Sequence, residues 1–216
     1  VRYTANGPDV LKDISFTIKS GDRVAIVGRT GSGKSTLALS CLRIPHISSG
    51  SIIYDGINIA DRPVQRLRES LSIIPQDTIL FGGEIKDNLD PGKALDLHNL
   101  ENVFNTCSHV RALAYYKNSE ELPSKLSLST KVEAGGANFS EGQRQILGLA
   151  RALVKRSKLV LLDEATASMD YETDAAIQDL LRSEMKVSTV ITIAHRLRSI
   201  IDYDRVIVMA DGQIVE

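Results

Sequence analysis

Eight consecutive residues carry the strongest chemical signal in the sequence: Gly28-Arg29-Thr30-Gly31-Ser32-Gly33-Lys34-Ser35. Gly28, Gly33, Lys34 and Ser35 meet the pattern G-x-x-x-x-G-K-[ST]. The glycines let the backbone curl so that its N–H groups point inward at phosphate oxygens. A helix that starts at the loop adds the positive end of its dipole. Lys34 would reach the β- and γ-phosphates, and the Ser35 hydroxyl would hold Mg²⁺. Thr30, Gly31, Ser32 and Thr36 fall within or beside the same cradle. The expected ligand is a nucleoside triphosphate, with ATP and Mg²⁺ as the first candidates. The competing reading is a plain glycine-rich turn before a helix, and the strand-like run Asp22 to Val27 just upstream argues against it.

A second site lies far along the chain. Leu159-Val160-Leu161-Leu162-Asp163-Glu164 is an apolar run ending in two acids. In a doubly wound sheet, ligands sit at the carboxyl ends of the strands. Asp163 would therefore lie beside the phosphate loop and hold Mg²⁺ through a water. Glu164, one residue further, would face the water that attacks the γ-phosphate. Adjacent acids can differ in role because successive strand residues point to opposite sides. A solvated strand end is the bland alternative for both.

These residues need a scaffold. Strand-like Asp22 to Val27, the glycine loop and a helix from Lys34 to Arg43 form the context that a phosphate loop requires. Ser51 to Ile59 reads as a hairpin around Asp55-Gly56, and Ser72 to Pro75 as a short strand. From about Asp77 to Asn138 helical patterns such as Asp96 to Cys107 alternate with loops. A long helix is expected from Glu141 to Lys155. Leu159 to Leu162 then reads as a strand buried on both faces. Helix Tyr171 to Met185, strand Ser188 to Ala194, a short helix and strand Arg205 to Met209 follow. Alternating strands and helices predict an α/β fold of the P-loop NTPase class. It has a mostly parallel sheet with flanking helices, a small antiparallel β part and an inserted helical subdomain. The expected division is a catalytic core of 1–76 and 141–216 with a helical subdomain over 77–140.

The 216 residues, 43% of them hydrophobic, suffice for one domain with a subdomain. The net charge of −1 argues against a nucleic-acid partner. Cys41 and Cys107 have no metal-ligand or redox spacing and read as buried thiols. No run reaches the roughly 20 apolar residues of a membrane span. The chain begins at Val1 in strand-like sequence and stops after another strand, so it reads as a piece of a longer protein.

Between the two acidic and glycine-rich motifs stands Asn138-Phe139-Ser140-Glu141-Gly142-Gln143-Arg144-Gln145. This Ser-x-Gly-Gln segment, opening a helix about 20 residues before the acidic strand, resembles the signature of ABC-type ATPases. Gln76 after a short strand resembles that family's Q-loop. Val132 to Gly136 resembles the segment that exporters carry before the signature. Ser168-Met169-Asp170 resembles the D-loop, His195 the H-loop, and Tyr3 the adenine-stacking aromatic. The resemblance covers the whole chain in the family's order. GRTGSGKST, IIPQDTILFGGEIKDNLDP, NFSEGQRQILGLARAL and LLDEATASMD are similar to the second nucleotide-binding domain of C-subfamily, multidrug-resistance-protein-like exporters, with a fungal cast. One departure stands out: the third signature position is Glu141 rather than glycine.

The resemblance implies roles. Tyr3 would stack on adenine, against the reading of a plain edge tyrosine. Gln76 would touch Mg²⁺ and report its occupancy to membrane domains; otherwise it is a turn glutamine. His195 would hydrogen-bond the γ-phosphate and hold Glu164 and the attacking water in line; otherwise it is structural. Asp170 would organise the dimer contact, cap the helix at Tyr171, or both. Ser140, Gly142 and Gln143 would contact ATP held by a second nucleotide-binding domain, in a head-to-tail pair enclosing two ATPs. The implied protein is an ATP-hydrolysing membrane exporter, with this domain at the cytoplasmic face and transmembrane domains as partners. A soluble ABC-type ATPase of DNA repair or translation is the alternative. A regulatory ATP-binding module is a third reading, against which Glu164 and His195 argue.

Overall fold

The computed structural model describes residues 1–4, 6–108, 126–163, 171–194 and 196–216. The chain divides into two compact units, 1–73 with 157–164 and 187–216, and 74–156 with 165–186.

The first unit is built on the expected strand, loop and helix. β1 (Arg23–Gly28) runs into the phosphate loop, and α1 (Lys34–Cys41) leaves it. β2 (Ile53–Tyr54) and β3 (Ile57–Asn58) form the expected antiparallel hairpin. Its turn residues Asp55 and Gly56 have φ of 49° and 76°, the left-handed pair that matches strand twist in a two-residue hairpin. A short helix, α2 (Val64–Glu69), precedes β4 (Leu71–Ile74).

The second unit contains elements that are too short to show a period. β5 (Gly83–Glu84) pairs antiparallel with β6 (Lys131–Val132). α3 (Ile85–Leu89) starts on a capping box between Glu84 and Asp87. α4 (Leu97–Ser108) buries Leu100, Phe104 and Cys107 on one face, the i, i+4, i+7 spacing of an amphipathic helix. α5 (Glu141–Lys155) packs against both α3 and α4. α6 (Tyr171–Glu184) completes this unit.

The remaining strands return to the first unit. They are β7 (Leu159–Asp163), β8 (Thr189–Ile193), β9 (Arg205–Ala210) and β10 (Gln213–Ile214). With β1 and β4 they give a six-stranded sheet of order β10-β9-β1-β8-β7-β4. β1 is parallel to β8 and β9, and β7 is parallel to β8, while β10 returns antiparallel on β9. The mostly parallel sheet with flanking helices is the expected fold class. Strand alternation sorts the core. Val24, Ile26, Leu159, Leu161, Ile207 and Met209 join Leu37 and Cys41 of α1 on one side. Ala25 turns to the other side, with Ala194 and Ile200. Leu159 to Leu162 are all buried, as a strand covered on both faces requires.

Candidate functional site: a phosphate cradle and a signature helix

The phosphate loop is held from behind by the far end of the chain. Gly28 pairs with Met209 of β9. Its φ is 153°, and an added Cβ would meet the Met209 carbonyl oxygen at 2.3 Å and Ser32 Oγ at 2.7 Å. No other residue fits there without backbone movement. Gly212 donates its N–H to the Ser32 carbonyl at 3.1 Å, so the turn between β9 and β10 also braces the loop. The Asp211-Gly212 turn is visible in the sequence as a dipeptide, but its contact with the loop is not. Gly33, at φ 100°, is the N-cap of α1 and supplies no side-chain cap.

The loop's donors fit a polyanion. Lys34 is buried, and its Nζ donates to the Gly28 carbonyl at 3.0 Å and the Arg29 carbonyl at 3.1 Å. The ammonium therefore sits over the loop rather than in solvent. Ser32 is 5% exposed, and its buried Oγ has no partner among the described residues. An unpartnered buried hydroxyl in a glycine-rich loop that leads into a helix is what a phosphate oxygen would satisfy. No acidic residue stands in the first turn of α1, so the helix's positive end is left for an external anion. Ser35 is exposed on that turn, as a hydroxyl donated to Mg²⁺ must be.

Asp163 ends β7 at the same level as Ile26. Asp163 pairs with Ile193, and Ile193 pairs with Ile26. With β8 between them, β7 and β1 are two strand spacings apart, roughly 10 Å. The acid and the phosphate loop thus share the carboxyl edge of one sheet, the position where such sheets bind ligands. Glu164 and His195, with Ser168, Met169 and Asp170, lie outside the described residues.

Tyr3 is half exposed, and its hydroxyl lies 3.0 Å from Thr36 Oγ1. The ring at the start of the chain is thereby fastened to the first turns of α1. Thr36 itself is buried.

In the second unit, Ser140 is the N-cap of α5. Its Oγ accepts from the Gln143 N–H at 3.2 Å, and Gln143 Oε1 accepts from the Ser140 N–H at 2.9 Å. Gln143 is buried and Gly142 half-buried, while Ser140 and Glu141 are exposed. The signature-like segment is thus a helix start closed by a capping box. Glu141 occupies its first turn, where a carboxylate favours the dipole. Gln76 follows β4 with its side chain exposed, and its carbonyl accepts from Gln145 Nε2.

Both cysteines are buried and free. Burial raises the Cys41 thiol's pKa, and burial and then Glu184 push that of Cys107 up to about 12. Neither is an available thiolate at neutral pH.

Comparison with known proteins gives this arrangement a family. Residues 11–167 match the ABC transporter family. The chain is 45% identical over 227 residues to the pleiotropic ABC efflux transporter of multiple drugs YBT1 of Candida glabrata, covering all of this chain and 14% of that protein. It is also 45% identical, over 216 residues, to ATP-binding cassette sub-family C member 2 of Rattus norvegicus, again with full coverage of this chain and 14% of that protein. Among solved structures, an ATP-bound bacterial Atm1-family ABC exporter superposes with a TM-score of 0.86 at 32% identity, covering 99% of this chain and 36% of that one. The chain thus spans about one seventh of the length of the curated relatives it matches. With a family match over most of its length and relatives that cover it completely, the chain belongs to the ABC transporter family as an ATP-binding domain.

Proposed function

We propose that the domain is the ATP-hydrolysing motor of a membrane exporter and works paired head to tail with a second nucleotide-binding domain. The observation that carries the reading is the Ser32–Lys34 cradle at the carboxyl edge that also bears Asp163. The relatives named above are transporters, which supports the exporter over a soluble repair or translation ATPase. No helix among the described residues is long and apolar enough to cross a membrane. In this reading the domain lies at the cytoplasmic face of a membrane through transmembrane domains elsewhere in the parent protein.

Within this reading Tyr3 stacks on the adenine. The backbone of Gly28, Thr30, Gly31, Ser32 and Gly33 cradles the phosphates, with Lys34 drawing off charge. Thr36 lies next along the same helix. Ser35, Asp163 and Gln76 are the residues that would hold Mg²⁺, which supplies further charge neutralisation when bound. Glu164 orients or deprotonates the attacking water, and His195 keeps it in line. Catalysis is then positioning plus charge stabilisation. Ser140, Gly142 and Gln143 serve the ATP held by the partner domain. The division into a 1–76 and 141–216 core with a 77–140 helical subdomain belongs to the same reading.

Glu141 brings a carboxylate to the partner's triphosphate where the family has glycine. We infer two unequal sites: the one using this chain's phosphate loop and Glu164 turns over, and the one using this chain's signature hydrolyses slowly. The test is ATP binding and hydrolysis by the full transporter. Glu164→Gln should keep binding and lose hydrolysis at least about 100-fold, as expected for a group acting in the chemical step. Glu141→Gly should raise the total turnover. Intact hydrolysis in Glu164→Gln would overturn the assignment.

A further inference from the structure

One face of α5 is devoted to a single segment of chain. Gln145, only 3% exposed, donates from Nε2 to the Gln76 carbonyl and accepts at Oε1 from the Thr78 hydroxyl at 2.9 Å. Three residues on, Gly148 lets Thr78 lie against the helix. A Cβ there would meet Thr78 Oγ1 at 2.6 Å. Three residues further, Arg151 donates from Nη1 to the Ile79 carbonyl at 2.8 Å and stands 5.5 Å from the centre of the Phe81 ring. Arg151 also grips Asn88, through Nε to its carbonyl at 2.7 Å and Nη2 to its Oδ1 at 2.6 Å. Asn88 is fully buried and closes the loop from the other side. It accepts from the Phe81 N–H and donates to the Phe81 carbonyl, both at 2.8 Å.

Positions 145, 148 and 151 fall within about 120° of one another around a helix axis. The side-chain hydrogen bonds of Gln145 and Arg151 among the described residues run to 76–81 or to Asn88, which closes it. A buried glutamine amide and a half-buried guanidinium are costly when unpaired; here both are paired to backbone carbonyls, so the cost is met only while the segment stays in place. The segment begins with Gln76, and the helix begins at Ser140 to Gln143.

We propose that Gln145 and Arg151 make the signature helix and the Gln76–Phe81 segment one mechanical part, with Gln145 the positioning residue for Gln76. This rests on the reading of Ser140 and Gln76 given above. A signature helix pulled by the partner's ATP then carries Gln76 with it. Occupancy of one ATP site thereby sets the catalytic geometry of the other, with no separate relay.

Two measurements test this. Hydrogen exchange on the chain itself should show peptides spanning 76–81 exchanging about tenfold faster in Gln145→Leu, which keeps the volume and loses both hydrogen bonds. Peptides of β1 and β9 should be unchanged. In the full transporter the same variant should lower kcat about tenfold, leave KM for ATP within twofold, and flatten the cooperativity in ATP. Gln145→Glu, which keeps the acceptor for Thr78 and loses the donor to Gln76, should fall between. Unchanged exchange at 76–81, or unchanged kcat and cooperativity, would overturn the proposal. If Gln145→Leu does not fold, Thr78→Val removes the hydroxyl alone and should speed exchange of the segment about threefold; no change there is equally fatal. The exchange result does not depend on hydrolysis, so it stands apart from the Glu164→Gln test of the function itself.

Discussion

Gly28 is where covalent geometry and chemistry meet most closely. Its Cα faces the Met209 carbonyl with no room for a methyl group. Gly28→Ala should therefore cost about 2–4 kcal/mol, through strain at a left-handed φ and the clash behind it. Urea unfolding of the two proteins checks this. Lys34→Met should act differently. The ammonium's contacts are two loop carbonyls, so its loss should weaken nucleotide binding at least about tenfold with a much smaller change in stability; calorimetric titration with ATP separates the two effects. The thiols give a third outcome. With Cys41 and Cys107 buried and both thiols' pKa values raised, neither should react with a maleimide under native conditions at pH 7, and both should do so in denaturant.

At the scale of elements, α5 shows what a capping box contributes. Ser140→Ala removes the acceptor for the Gln143 N–H and should cost about 1 kcal/mol, whereas Ser140→Thr keeps most of it; thermal denaturation of the pair measures the difference. Elements of this length were legible in the sequence. β1, α1, β7, α5 and β9 each carry a full period, a glycine loop or a run of β-branched residues. The pairing of Gly83–Glu84 with Lys131–Val132 was not, because two-residue strands have no period and their partners lie almost fifty residues apart. The phosphate loop and Asp163 were legible because their spacing along the chain is itself the chemistry. Gln145, Arg151 and Asn88 were not singled out. A polar residue on a helix reads as a solvated face, and only the fold shows that Gln145 and Arg151 reach carbonyls more than sixty residues away and that Asn88 closes on the carbonyls of Phe81 and Glu84. The brace that Gly212 gives Ser32 escaped for the same reason.

At the scale of the molecule, the chain holds the phosphate loop and the signature in different compact units. Under the paired mechanism neither serves the other within one copy. The isolated chain should therefore bind Mg-ATP, be monomeric, and hydrolyse slowly. Saturating Mg-ATP at about 100 times Kd should raise its stability by about 2.7 kcal/mol, visible as a higher thermal midpoint. Rapid turnover by a monomer at high dilution would count against the composite site.

The sheet order has a consequence for synthesis. β1 leaves the ribosome before every other strand of its sheet, yet its two neighbours are β8 and β9, and Gly28 waits for Met209. About 180 residues separate the two strands, which is roughly 10–40 s of translation. Throughout that interval the glycine loop has been made but has no wall behind it. Nascent chains that stop before Arg205 should retain no nucleotide on an ATP resin, and those released after Ile214 should. The phosphate loop is written long before the strand that backs it and becomes usable only near the end of this stretch of the message.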